Sequence, residues 1–162
     1  MTGPEPADAL DHEELETWSA LATLLEWLPA ALDGQLQRDS GISHFDYGIL
    51  FALSQADDRT LQMTQLAGYA NSTLSRLSRA VARLEARGWA RRAPDPRDGR
   101  ITLATLTDDG ADAARAAAPG HVALVRRLVF EALTPAQARQ LRIASRRITG
   151  AIRDEGAWAP SS

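Results

Sequence analysis

Apolar residues recur at three- and four-residue steps over most of the chain, and this spacing predicts helices. Trp18, Leu21, Leu24, Leu25, Leu28, Leu32 and Leu36 form one stripe. It predicts a first helix from Asp11 to Arg38, kinked at Pro29. Ser40-Gly41 ends it, and Ser43 is a cap for a second helix with Asp46 at the capping-box position. Phe45, Ile49, Leu50 and Leu53 line the buried side of that helix. After a loop at Asp57-Asp58, a short third helix is predicted from about Thr64 to Tyr69, with Met63 and Leu66 inward. Ala70-Asn71-Ser72 makes a turn, and Thr73 caps a fourth helix that stops at Gly88. Its buried face is Leu74, Leu77, Val81 and Leu84.

The period then changes. Trp89 to Ala93 and Ile101 to Leu106 read as short antiparallel strands, joined by turn chemistry from Pro94 to Gly99. Thr107, with acids behind it, starts a fifth helix. That helix is Ala-rich through Ala118 and is expected to be interrupted at Pro119-Gly120. Val122, Leu124, Val125, Leu128, Val129 and Leu133 continue an apolar face. Thr134-Pro135 opens a sixth helix to about Arg153, carrying Leu141, Ile143, Ala144, Ile148 and Ile152. Residues 1–9 and the closing GAWAPSS read as tails.

The order in the middle of the chain is helix, turn, helix, β-hairpin. The fold class is therefore mostly α with a small β-wing: a winged helix-turn-helix flanked by terminal helices. The first, fifth and sixth helices have stripes too wide for one another to bury, so a homodimer through the chain ends is expected.

Charge sharpens this picture. The chain has 162 residues and a net charge of −3. From Ser72 to Arg100 there are eight Arg against three acids, Glu85, Asp95 and Asp98, for a local +5. The rest of the chain holds ten Arg against eighteen acids, for −8. A basic island on a groove-filling element points to a polyanionic partner. All 18 basic residues are Arg, which fits a GC-rich codon bias but not their clustering. There is no Cys, so disulfides, thiolate metal sites and thiol redox sensing are excluded. No apolar run approaches the roughly 18 residues of a membrane span. The acidic N-terminus lacks a secretory pattern, so a cytoplasmic protein is expected. There is no nucleophile elbow, phosphate loop or metal triad, and His12, His44 and His121 are too scattered for a metal site. Neither an enzyme nor a cofactor is expected.

Within the island, Ser75, Arg76 and Arg79 face outward in the N-terminal half of the fourth helix, the part of a recognition helix that reaches bases. Arg can take guanine O6 and N7 together. The blander alternative is a solvated basic face. Thr73 and Asn71 cap the helix or hold phosphate. Arg83 and Arg87 lie further back, where ion pairs and phosphate contacts are equally open. In the hairpin, Arg97 sits at the tip, and Asp98 can brace Arg100. Either Arg suits a narrow, electronegative minor groove, and an exposed local ion pair is the blander alternative. Aromatics near the helix junctions are candidates for a ligand cavity or simply for core packing.

Several stretches carry a family resemblance. Gly41-Ile42-Ser43-His44-Phe45-Asp46-Tyr47, Arg83-Leu84-Glu85-Ala86-Arg87-Gly88-Trp89, Asp95-Pro96-Arg97-Asp98-Gly99-Arg100 and Leu106-Thr107-Asp108-Asp109-Gly110 together resemble the MarR family of winged-helix transcriptional regulators, over about Trp18 to Ile152. The resemblance implies a single MarR-type domain, residues 1–162, with dimerisation helices at 11–38 and 107–153 and a DNA-binding lobe at 43–106. It implies a homodimer on double-stranded DNA with a pseudo-palindromic operator, contacting it through Thr73, Ser75, Arg76, Arg79, Arg97, Asp98 and Arg100. A repressor relieved by a small-molecule effector is implied, with the effector between the dimer helices and the DNA-binding lobe, near Trp18, His44, Phe45 and Tyr47; His121, like His44, lies beside a helix junction where that cavity would be. The alternative is a winged-helix module acting through protein contacts, or a constitutive DNA binder without ligand control.

Overall fold

The computed structural model describes residues 9–155. Helix α1 (His12–Ser40) starts on a capping box between Asp11 and Glu14 and runs through Pro29. It ends at Gly41, whose φ of 63° is the left-handed conformation that glycine adopts without strain. Helix α2 (His44–Gln55) begins at Ser43, whose hydroxyl accepts from the Asp46 backbone N–H. The reciprocal half of the expected capping box is not made. The Asp46 carboxylate turns inward to Arg83 instead.

A 3-10 turn at Asp57–Arg59 leads into β1 (Thr60–Gln62), a strand the sequence pattern did not predict. Helix α3 (Met63–Tyr69) and helix α4 (Leu74–Ala86) follow. Strands β2 (Ala90–Pro94) and β3 (Thr102–Leu106) form the hairpin. The sheet order is β1-β3-β2, antiparallel throughout, with Leu61 opposite Ala104 and Arg92 opposite Ala104 on its other side. The core of this lobe is Ile49, Leu50, Leu53, Leu66, Leu77, Val81 and Leu84, closed by Ala104 and Leu106 from the sheet.

Helix α5 (Asp108–Val125) corrects one expectation: it passes through Pro119 and does not break there. Proline removes one backbone donor, but packing of α5 against α1 outweighs that loss. Gly120, just beyond, lets the helices close: a Cβ there would lie 2.9 Å from Gln35 Nε2. A wide π-type turn, Arg126–Phe130, then leads to helix α6 (Pro135–Asp154), capped by Thr134 and Gln137.

The terminal helices do not all pack together within one protomer. The C-terminal half of α1 buries Leu32 and Leu36, whereas α6 has no buried residue. Trp18, Leu25, Trp27, Phe130, Ile148 and Ile152 are all exposed. No helix among the described residues is long and apolar enough to cross a membrane.

Candidate nucleic-acid interface and two cavities

The turn before α4 is tight because Asn71 takes a left-handed φ of 45°, which Asn tolerates better than most residues. Ser72 is then buried, and the Thr73 hydroxyl accepts from the Arg76 backbone N–H at 3.2 Å. With Leu77, Ala80, Val81 and Leu84 inward, Ser75, Arg76 and Arg79 are exposed on one side of α4. Arg76 lies over the Phe45 ring, 4.4 Å from its centroid. Such a contact holds a guanidinium without neutralising it.

The remaining arginines of the island divide by partner. Arg83 donates to both oxygens of Asp46, at 2.7 and 3.4 Å, and Asp46 is nearly buried. Arg87 stacks on Trp89 at 3.8 Å and donates to the Gly41 carbonyl. Arg92 donates to Glu85 and to the Ser78 hydroxyl. These three fasten α4 to α2, to the end of α1 and to the hairpin. Arg91, not singled out from the sequence, lies exposed on β2, and no hydrogen bond or ion pair involves its side chain among the described residues. Strand alternation is the signal that separates it from Arg92.

The hairpin tip is ordered by its own acids. The Asp95 carboxylate accepts from the Arg97 backbone N–H at 2.8 Å, and Asp98 accepts from that of Arg100 at 3.1 Å. Asp98 therefore holds the Arg100 backbone; the Arg100 Nε is 3.9 Å away and its side chain is exposed. Arg97 and Arg100 extend from a fixed turn with their cationic ends in solvent.

The link between hairpin and helix has a pH signature. Hydrogen bonds from Arg92 hold the Glu85 carboxyl below its ordinary 4.5. A depressed folded value means the pair stabilises fully above the unfolded value and is lost as pH falls through the folded one. The melting temperature of the wild type should exceed that of Arg92→Leu by a constant margin from neutrality to about pH 5, shrinking below pH 4.5. An unchanged margin at pH 3 would show that the pair does not carry it.

Two cavities flank α2. One, of about 510 Å³, lies between α2, α3 and β1 and includes His44, Phe45, Phe51, Leu61 and Tyr69 in its walls. The other, of about 600 Å³, lies between α2 and the end of α5, walled by Tyr47, Phe51, His121, Val125, Arg126 and Phe130. The four residues expected near a ligand are thus divided. His44 and Phe45 line the first cavity, Tyr47 lines the second, and Trp18 lines neither. His121, which like His44 was expected beside a helix junction, stands 4.7 Å from the Tyr47 ring and 5.7 Å from that of His44. Burial, and then the neighbouring His44, push its imidazole below the ordinary value, so the neutral form is favoured. Its Nδ1 has no hydrogen-bond partner among the described residues. Among those residues no group of three or more His, Asp or Glu is placed to hold a metal ion.

Known proteins share this architecture. A model of the MarR family matches residues 40–101. Sco3205, a MarR family transcriptional regulator from Streptomyces coelicolor whose crystal structure is a complex with DNA, is 45% identical, with 93% of each chain covered and a TM-score of 0.87. AbsC, a MarR family transcriptional regulator from the same organism, is 31% identical over 91% of this chain and 99% of its own, with a TM-score of 0.87. The transcriptional regulator BldR from Sulfolobus solfataricus is 25% identical over 85% of this chain and 99% of its own, with a TM-score of 0.71. No curated protein sequence matches the chain. With α4 exposed beside a two-stranded wing, and with this identity sustained over nearly the whole chain, the protein belongs to the MarR family of transcriptional regulators.

Proposed function

We propose that the protein is a homodimeric, sequence-specific DNA-binding repressor whose operator affinity is lowered by a small-molecule effector. The observation that carries the DNA reading is the sorting of the arginine island. Arg83, Arg87 and Arg92 are tied down, while Ser75, Arg76 and Arg79 on α4 and Arg97 and Arg100 on the wing present to solvent. Thr73 sets the start of α4, and Asp98 sets the wing turn. The α4 groups suit base edges in a major groove, and the wing groups suit an adjacent minor groove. The Sco3205 complex with DNA supports this reading.

The domain division follows the same logic. Residues 43–106 form the DNA-binding lobe, and 11–38 with 107–153 form the dimer. Two features of α1 and α6 support association. Both expose long apolar faces, and their charges are opposite. Helix α1 has six acids and one Arg, whereas α6 has five Arg and one acid. The acidic remainder of the chain is thus not uniform, and its basic part is on α6. A dimer places two α4 helices on half-sites about one helical turn apart, roughly 34–36 Å.

The cavity between α2 and α5 suits the effector. It lies where the DNA-binding lobe meets the dimer helices, and it offers the unpartnered His121 Nδ1, the Arg126 guanidinium and the Glu131 carboxylate between mainly apolar walls. A ligand there would alter the spacing of the two α4 helices, with a coupling of ~1–3 kcal/mol.

The test uses duplexes selected by the protein from a random library. Arg76→Ala or Arg79→Ala should lose about 1–3 kcal/mol of discrimination at one base pair per half-site. Arg97→Ala should weaken all duplexes about equally. Unchanged base preference in both α4 variants would remove α4 from the recognition role, and a protein that selects no duplex would favour a protein-binding module.

A further inference from the structure

The cavity between α2 and α3 is separate from the α2–α5 cavity assigned above to the effector, and three features set it apart. First, no Asp, Glu or Arg side chain lines it. Its walls are mainly apolar and include the rings of Phe45, Phe51 and Tyr69. Second, Gly48 lies in the middle of α2 and on the cavity wall. Glycine destabilises a helix interior relative to alanine. Here neither a positive φ nor a close neighbour requires it, since a Cβ would meet nothing within 4 Å. What Gly48 preserves is open space. Third, Phe45 has two roles: its ring walls the cavity and also seats the Arg76 guanidinium.

We propose that this cavity is a second ligand site, for an uncharged planar aromatic molecule, and that Phe45 transmits its occupancy to Arg76. The volume, about 510 Å³, suits a small ligand. Three rings offer stacking faces. A charged ligand would find no carboxylate or guanidinium in the walls to offset its lost hydration, whereas His44 and Gln55 can each hydrogen-bond a neutral polar edge. A ring stacked on Phe45 displaces it from the position that seats Arg76, and so redirects one of the α4 groups proposed to read bases. That readout rests on the DNA-binding reading; occupancy of the cavity does not.

The probe is indole, titrated into the full chain with methyl-labelled Ala, Ile, Leu and Val observed by NMR. Saturable shifts are expected at Ile49, Ala52, Leu61 and Leu66, with Val122 and Val125 of the other cavity unmoved. Gly48→Leu should abolish them; Ala52→Leu, on the same wall, serves if that variant does not fold. At saturation, indole should weaken a selected duplex by about five-fold or more. Phe45→Leu loses one stacking face and should bind indole more weakly; at its own saturation, judged by the methyl shifts, indole should change operator affinity by less than about two-fold. No methyl shifts at millimolar indole, shifts at Val122 and Val125 instead, or an operator response untouched by Phe45→Leu would each overturn the proposal. Were the chain to bind no duplex at all, the DNA reading would fall while the methyl shifts still decided the cavity.

Discussion

Placing Glu at both Leu141 and Ile148 should convert the protein to a monomer and weaken operator binding on the order of a hundred-fold or more. Helix α6 is 20 residues long, yet none of them is buried in the protomer. Leu141, Ala144, Ile148 and Ile152 succeed one another at steps of three and four, so they share one face. An apolar face of that length left in water marks an interaction surface. Trp18 and Leu25 on α1 and Phe130 before α6 are exposed apolar side chains as well. Two carboxylates in its centre would have to be desolvated without partners, which an interface does not tolerate. A monomer keeps one recognition helix and loses the tethering of the second, hence the large effect. Since α6 buries nothing in its own protomer, the lobe around Leu50, Leu77 and Leu84 should stay folded. Light scattering coupled to size exclusion checks the mass, and a duplex titration checks the affinity. A double variant that stayed dimeric, or a monomer that bound as tightly, would rule out α6 as the assembly surface.

Gly110→Ala should destabilise the protein by about 3 kcal/mol. Helix α5 starts directly under the base of the wing. There the Thr107 N–H donates to the Trp89 carbonyl, the Thr107 hydroxyl donates to that of Gly88, and the Gly110 N–H donates to the Thr107 hydroxyl. These bonds draw the first turn of α5 onto the backbone of the hairpin. A Cβ on Gly110 would overlap the Trp89 carbonyl oxygen and lie 2.8 Å from the Trp89 carbonyl carbon and 2.7 Å from Leu106 Cδ1. Leu106 could rotate, but the Trp89 backbone is held on both sides, its N–H donating to the Leu84 carbonyl and its carbonyl accepting from the Thr107 N–H. The helix must therefore move away from the wing and give up those bonds. Gly48→Ala is the contrast: its Cβ enters open space, so it should be neutral or stabilise by up to about 1 kcal/mol. Chemical denaturation of both variants checks the pair. Equal stabilities would mean that the close approach of α5 and the wing has no energetic weight.

The helices were legible because their signals are local. Leu77, Val81 and Leu84 repeat at helical spacing, and Thr73, Thr107 and Thr134 each cap the helix they precede. The wing was legible from turn residues between two short runs. What was not legible depends on tertiary contact. Strand β1 is three residues long and exists through pairing with β3, and three residues are too few to show an alternation. Pro119 looked like a break because proline weakens a helix locally; packing of α5 on α1 carries the helix through it. The candidate interface shows the same limit. Charge segregation located the island, but a count of arginines carries no direction. Only the Asp46, Glu85 and Gly41 contacts separate Arg83, Arg92 and Arg87 from Arg76 and Arg79. His121 was legible as a residue beside a helix junction, but its contact with Tyr47 exists only through the packing of α5 on α2.

The most direct measurement of the DNA reading is the salt dependence of binding to a selected duplex, for the wild type, Arg79→Ala, Arg97→Ala and the structural arginine variant Arg92→Leu. Wild-type affinity should fall steeply with salt, with log–log slope near −0.9 per phosphate neutralised. Arg97→Ala should flatten that slope by about one phosphate. Arg79→Ala should alter base preference more than slope, and Arg92→Leu should leave the slope near that of the wild type. A flat wild-type dependence, or slopes that changed with Arg92 but not with Arg97, would contradict the assignment of the exposed arginines to DNA.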